Sequence, residues 1–336
     1  MKDNIYLFKS DVLKRKDNTI VYILKDKTHY IPVEQIDTIH CFGETTLNKK
    51  LLKFLSSYKI GLFFYNRYGR CVGKFNNTSY RSGKDILLQS EAYLDEFKRN
   101  RIILSMEKAS IHNSLAVAKY YQKKGYELKD AIFELEAYKK ELNNVDTEDK
   151  EFYGKVLLLE ARNKQTYYSL FDIVLKETPF RFEKRSCFPP ANEVNALMSF
   201  LYALMYNDVL NAIERSSLIP EISFIHGNSR NNNGGLQYDI ADYLKPQIAD
   251  RLFLRLLREG RLAPDHFYYT SSKSCFINEE GKKIVLDAYH KQLKTCVFDE
   301  RNGRSYSYKQ FYYREVSELA KGIKGDGNYR CAIFRY

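Results

Sequence analysis

The chain has 336 residues, enough for two domains of ordinary size or one large one. Its 44% hydrophobic content excludes global disorder, and 54 Lys and Arg against 42 Asp and Glu leave a net charge of +12. That balance points to a polyanionic partner, nucleic acid before anionic membrane, with an ordinary basic surface as the alternative.

The first 76 residues read as a small β domain. TIVYILK, THYIPV, IDTIHC and IGLFFY are short runs rich in β-branched and aromatic residues. Turn signals separate them: KDN at 16–18, DK at 26–27 and NRYG at 66–69. One amphipathic helix interrupts the strands, with Leu47, Leu51, Leu52 and Leu55 on one stripe of TLNKKLLKFLSSYK. Loop composition marks 77–85 as a linker.

From 86 to 336 the rhythm is helical. A long helix is predicted from about Asp85 to Lys124, ended by Gly125, and a second from Leu128 to Leu142. A third follows Asp146, with Asp149 and Glu151 favourable near its start, and runs towards Leu175. A fourth, ANEVNALMSFLYALMYNDVL, follows Pro189-Pro190. Then come a helix carrying Asp239 and Asp242, and QIADRLFLRLLREG closed by Gly260, with Pro246 expected to kink or split the chain between them. The basic, Tyr-rich tail after about residue 300 is expected to order only on binding. The fold class is α+β: a small β-sandwich-like domain with one helix, then a larger all-α domain.

No two of Cys41, Cys71, Cys187, Cys275, Cys296 and Cys331 stand in C-x-x-C spacing, so neither a zinc motif nor a short disulfide framework is expected, and the thiols should be reduced and mostly buried. No segment reaches the ~18 apolar residues of a membrane span, and MKDNIYLFKSDVLKRK lacks the apolar run of a signal peptide. A cytoplasmic protein is expected. The 28 Tyr and 21 Phe, interleaved with Lys and Arg, suit base stacking, although an A/T-rich genome gives the same bias.

Three groups carry the chemistry. Glu160 ends the run Val156-Leu157-Leu158-Leu159 and shares a helix stripe with Val156, Tyr167 and Phe171, a costly place for a carboxylate without a cation or hydrogen-bond donors. An Arg or Lys partner, or a wet helix edge, would equally explain it. Asp239 and Asp242, at i and i+3, lie on one helix face, where like charges raise each other's pKa unless a cation is present. Carboxylates suit Mg²⁺ or Mn²⁺, and an added imidazole favours Mn²⁺ or a later metal. His226 precedes them, after which comes the Asn/Gly-rich loop NSRNNNGG; alone it reads as well as a satisfied core or loop histidine. One Glu, one His and one or two Asp in a basic protein suggest metal-dependent phosphodiester chemistry, by water or by a DNA 3′-hydroxyl.

At these residues the sequence resembles the CRISPR-associated integrase family, the catalytic subunit of the spacer-acquisition complex. LLLEARNKQTYYSLF resembles the helix with the family's metal-binding Glu, FPPANEVNALMSFLYALMY the Asn/Leu-rich helix beneath the site, with Asn195 at the motif Asn, and FIHGNSRNNNGGLQYDIADYLKP the segment holding the metal-binding His and Asp. Ala161, where Gly is usual, and the Asn-rich loop are departures that remove no ligand. The resemblance implies Glu160, His226 and Asp242 as ligands of Mg²⁺ or Mn²⁺, Asp239 as a supporting acid, and Lys245, Tyr167 and Tyr168 near DNA phosphates. It further implies double-stranded DNA substrates, a homodimer, and two such dimers flanking a small partner protein as a heterohexamer that inserts short fragments into the CRISPR repeat. A stand-alone nuclease on branched DNA uses the same ligands, and a non-catalytic DNA-binding scaffold is the alternative of a different class.

Overall fold

Alternation of apolar and polar residues builds the N-terminal unit strand by strand. In the computed structural model, which describes residues 2–8, 11–24, 27–75, 81–187, 189–226, 234–325 and 328–335, the chain forms two compact units, 1–80 and 81–336. The strands are β1 (Asp3–Leu7), β2 (Asp11–Lys16), β3 (Thr19–Leu24), β4 (Lys27–Pro32), β5 (Ile36–Cys41) and β6 (Thr45–Thr46), then α1 (Lys49–Ser57), β7 (Gly61–Tyr65) and β8 (Cys71–Phe75). One sheet runs β1-β5-β7-β8, parallel except at β7/β8; the other runs β4-β3-β2-β6, antiparallel except for the short β6. Leu7, Ile39 and Leu62 from the first sheet, Leu13 and Ile20 from the second, and Leu51, Phe54 and Leu55 of α1 share one buried cluster. The helix starts where Asn48 caps it, its side chain accepting from Leu51 N at 2.9 Å. All six residues of β5 are buried, as in a strand covered on both faces. His40 is a satisfied core histidine, between Thr38 Oγ1 and the Tyr65 hydroxyl at 2.9 and 2.8 Å. The turn at 16–18 is present, with Asp17 at positive φ; the DK turn includes residue 26, outside the described residues.

The second unit opens with α2 (Gly83–Leu94), α3 (Glu96–Lys123), α4 (Lys129–Asn143) and α5 (Phe152–Val174). The predicted 85–124 helix is therefore two helices. Asp95 leaves helical geometry at ψ 106° and caps α3 by accepting from Lys98 N at 3.1 Å, and an aspartate that bonds its own backbone competes with the helix. The linker is also shorter than expected, since Gly83, Lys84 and Asp85 are already helical; its residues 77–80 lie outside the described ones.

Next come α6 (Glu193–Glu214), α7 (Leu236–Lys245), a π-helical turn (Pro246–Asp250) and α8 (Arg251–Arg258). Pro246 does not break the chain. It has no N–H to give to Asp242, and the wider turn absorbs the loss. By length and composition α6 is apolar enough to cross a membrane, which corrects the expectation of no such segment, but 83% of that stretch is buried inside this unit.

The all-α expectation fails at two hairpins: β9 (Phe267–Tyr269) with β10 (Cys275–Ile277), and, after α9 (Glu279–Lys294), β11 (Cys296–Asp299) with β12 (Arg304–Ser307). The tail is ordered, correcting a second expectation. It forms α10 (Tyr308–Lys324), and Tyr329, Cys331, Ala332 and Phe334 beyond it are buried. A Cβ on Gly322 would meet Tyr329 Cβ at 3.0 Å, so glycine is what lets the tail lie on α10. Buried Glu315 ties the ends together: it accepts from Ala332 N at 2.9 Å and the Tyr243 hydroxyl at 3.1 Å, and pairs with Arg301 at 2.6 Å. Cys41, Cys275 and Cys331 are buried, while Cys187 and Cys296 are exposed, so fewer thiols are hidden than expected.

Candidate metal centre

Three elements of the second unit bring the predicted ligands together. Glu160 stands mid-way along α5, Asp242 on α7, and His226 at the end of the segment that leaves α6. One ligand atom from each lies within 4.8 Å of the other two. The segment carrying His226 is pinned from α2: Gln89, 1% exposed, donates to Ile219 O and Ile222 O at 3.0 and 2.8 Å and accepts from Ile219 N at 2.7 Å.

Asp239 is the segment's other anchor. Fully buried, it accepts from Ser223 Oγ at 2.8 Å and from the backbone N–H groups of Phe224 and His226 at 2.7 and 3.0 Å. It also accepts from His226 Nδ1 at 2.9 Å. With Nδ1–H so used, Nε2 is turned to Asp242, 3.4 Å from Oδ2. A carboxylate this saturated orients the histidine rather than holding an ion itself.

Asp242 is held by cations. Lys164, one turn beyond Glu160 on α5, bonds Glu160 and reaches Asp242 Oδ2 at 2.9 Å, and Lys245 bonds Asp242 from its own helix. Burial opposes the charge on Asp242, but Lys245, Lys164 and His226 hold its carboxyl well below the usual range. Burial likewise opposes a charged His226, yet its bonds to Asp239 and Asp242 raise it to about 10. Lys245 is boxed between the rings of Tyr202 and Tyr206, at 4.7 and 4.8 Å.

Two groups escaped the sequence reading. Lys164 was legible as a Glu→Lys pair at i,i+4. Glu107, on α3 and 3% exposed, had only a carboxylate on an apolar face as its signal. Burial and then Glu160 push its carboxyl well above the usual range, and its Oε2 has no hydrogen-bond partner. Tyr167 and Tyr168 line a small pocket with Lys164, Asp242 and Lys245. Tyr167 is buried and its hydroxyl donates to Asp250 at 3.1 Å, while Tyr168 packs on Phe171 and Phe182. Asn195, at the foot of α6, clamps the preceding loop, accepting from Ser186 N and donating to Lys184 O at 2.9 and 2.8 Å. Most of the Asn-rich lip, 227–233, lies outside the described residues.

Two carboxylates and an imidazole nitrogen, with an orphaned carboxyl oxygen buried nearby, form an oxygen-rich donor set that fits Mg²⁺ or Mn²⁺ and lacks the sulfur of a structural zinc site.

The sequence model of a family described as CRISPR associated protein Cas1 matches residues 5–291. A protein named CRISPR-associated endonuclease Cas1 2 from Thermodesulfovibrio yellowstonii is 32% identical over 98% of each chain, and CRISPR-associated endonuclease Cas1 from Thermotoga maritima is 34% identical over 96% of this chain and 98% of its own. The solved structure of a Cas1 protein from Thermotoga maritima superposes with a TM-score of 0.82 at 32% identity, covering 99% of each chain.

Proposed function

The chain belongs to the CRISPR-associated Cas1 family, and from that premise we propose that it is a metal-dependent DNA endonuclease and integrase, joining short duplex fragments to the CRISPR repeat by attack of a 3′-hydroxyl on a phosphodiester. The observation that carries this reading is the convergence of Glu160, His226 and Asp242 within 4.8 Å in a protein of net charge +12. Glu160, His226 and Asp242 would hold Mg²⁺ or Mn²⁺, which would supply a Lewis acid for the phosphate and charge to activate an oxygen nucleophile.

The chain's own residues do the rest. Asp239 fixes the tautomer and ring orientation of His226, leaving Nε2 as the ligating nitrogen. Lys164 and Lys245 keep Asp242 ionised in a buried place and are cations of the kind a phosphate recruits. Tyr202 and Tyr206 hold Lys245 in position. We propose further, on the resemblance to the family, that the β unit builds a homodimer and that two dimers flank a small adaptation partner in the cytoplasm.

Incubation with a short duplex, a supercoiled repeat plasmid, Mn²⁺ and the small partner tests this, scoring covalent joining. Joined product is expected, and none with Glu160→Gln. A second reading, a non-catalytic DNA-binding scaffold, is favoured by the neutralisation of the acids by Lys164 and Lys245. It would hold if Mn²⁺ changed neither melting temperature nor strand integrity.

A further inference from the structure

A cavity of about 830 Å³ opens in the second unit with none of the metal-centre residues in its walls. That volume falls in the range of sites that enclose small organic ligands, roughly 300–1,000 Å³. Its walls come from α3, α4, the β11–β12 hairpin and the tail. Acids there are already paired: Asp299 with Arg301 and Arg314 at 2.9 and 3.1 Å, and Glu300 with Arg335 at 2.6 Å.

The cations are not so neutralised. Lys108, Lys139 and Arg330 line the cavity and form no ion pair with a carboxylate among the described residues. Lys139 Nζ instead lies 3.2 Å from His112 Nδ1, whose Nε2 faces Phe334 O at 3.3 Å. The carbonyl takes the Nε2 proton, so Nδ1 accepts from the ammonium and the ring is neutral. Lys139 keeps further N–H bonds for a ligand. One wall is aromatic: Phe97 is 44% exposed, with the Arg101 guanidinium 5.2 Å from its ring centre. Unneutralised ammonium and guanidinium groups suit phosphate oxygens, and an exposed ring beside them suits a base.

We propose that this cavity is a nucleoside-phosphate site, holding phosphate at Lys108, Lys139 and Arg330 and stacking a base on Phe97. The nucleotide is either free or part of a DNA strand. The site stands independently of the metal centre and its chemistry.

The test uses the full chain and two probes, a labelled 5′-phosphorylated single strand and a labelled adenosine nucleotide. Binding is measured for wild type, for Lys108→Met with Lys139→Met, and for a charge-matched control, Lys140→Met with Lys176→Met, at two exposed lysines. The cavity variant should lose at least about tenfold on one probe while the control stays within about twofold. Loss on the strand alone assigns a DNA strand; loss on the nucleotide assigns the free ligand. Equal loss in cavity variant and control on both probes would overturn the proposal. Because Lys139 also holds His112, an azido-adenine photoprobe on wild type, mapped by peptide mass, supplies a readout free of folding. Adducts on Phe97 or the adjoining cavity wall support the site, and adducts confined elsewhere refute it.

Discussion

At the scale of single residues, the distinction that matters is between Asp242 and Asp239, three positions apart on one helix. Asp242 is met by two lysines and a histidine; Asp239 is met by a hydroxyl, backbone N–H groups and a ring N–H. Asp239→Asn puts an amide donor where only donors converge. It should cost roughly 1–3 kcal/mol in stability and, by freeing the ring of His226, lower affinity for Mn²⁺ by about 10- to 100-fold. Calorimetric titration of Mn²⁺ alongside thermal melts checks both, and an unchanged metal affinity would remove Asp239 from the support of the site. Residue types and spacing alone showed both acids on one face without saying what the chain brings to each, and only the family resemblance suggested this division of labour. Glu107 was hidden for a related reason: its neighbours on α3 read as core, and only the fold shows it lying near Glu160.

At the scale of elements, caps and turns decided what was legible. β3, β4, β5 and β7 follow from their β-branched runs, whereas β2 (DVLKRK) is too charged to announce itself and is recognisable only once paired with β3. The break between α2 and α3 keeps helical periodicity across EAYLDEFKRN, so periodicity alone cannot see the Asp95 cap. Beneath the site, the π-helical turn presents Asp250 to the hydroxyls of Tyr202 and Tyr167 at 2.7 and 3.1 Å. Burial raises Asp250 to about 6, although both tyrosines oppose it. An unfolded aspartate titrates near ~3.9, so the folded chain holds this proton between the two values. The ionised group therefore costs stability above about pH 6 and nothing below about pH 4. Asp250→Asn should raise the melting temperature at pH 8, by up to about 3 kcal/mol in stability, and leave it unchanged at pH 4. A gain that is equal at both pH values would contradict the shift.

At the scale of the molecule, a net charge of +12 is expected to dominate encounter with DNA. If six to ten phosphates are neutralised, affinity should fall by roughly 10³ to 10⁵ between about 50 and 200 mM salt. Affinity flat across that range would show that charge is not what holds the nucleic acid. The α+β class was legible in the sequence, because strand and helix rhythms differ, and carboxylates in apolar runs stood out as a candidate site, although the choice of Asp242 over Asp239 as ligand came only from the resemblance. The order of the tail was not legible, since its anchors, Glu315, Arg301 and the close approach at Gly322, are long-range.

The central claim is that Glu160, His226 and Asp242 perform chemistry on DNA that other residues bind. His226→Ala separates the two, since it removes one nitrogen donor and no cation needed for phosphate contact at neutral pH once metal is held. Mn²⁺-dependent cleavage of a branched duplex, measured with the affinity for that duplex in the same buffer, is the deciding comparison. Cleavage should fall at least about 100-fold with affinity within about twofold of wild type. Cleavage that persists, or that falls only as far as binding falls, would contradict the claim.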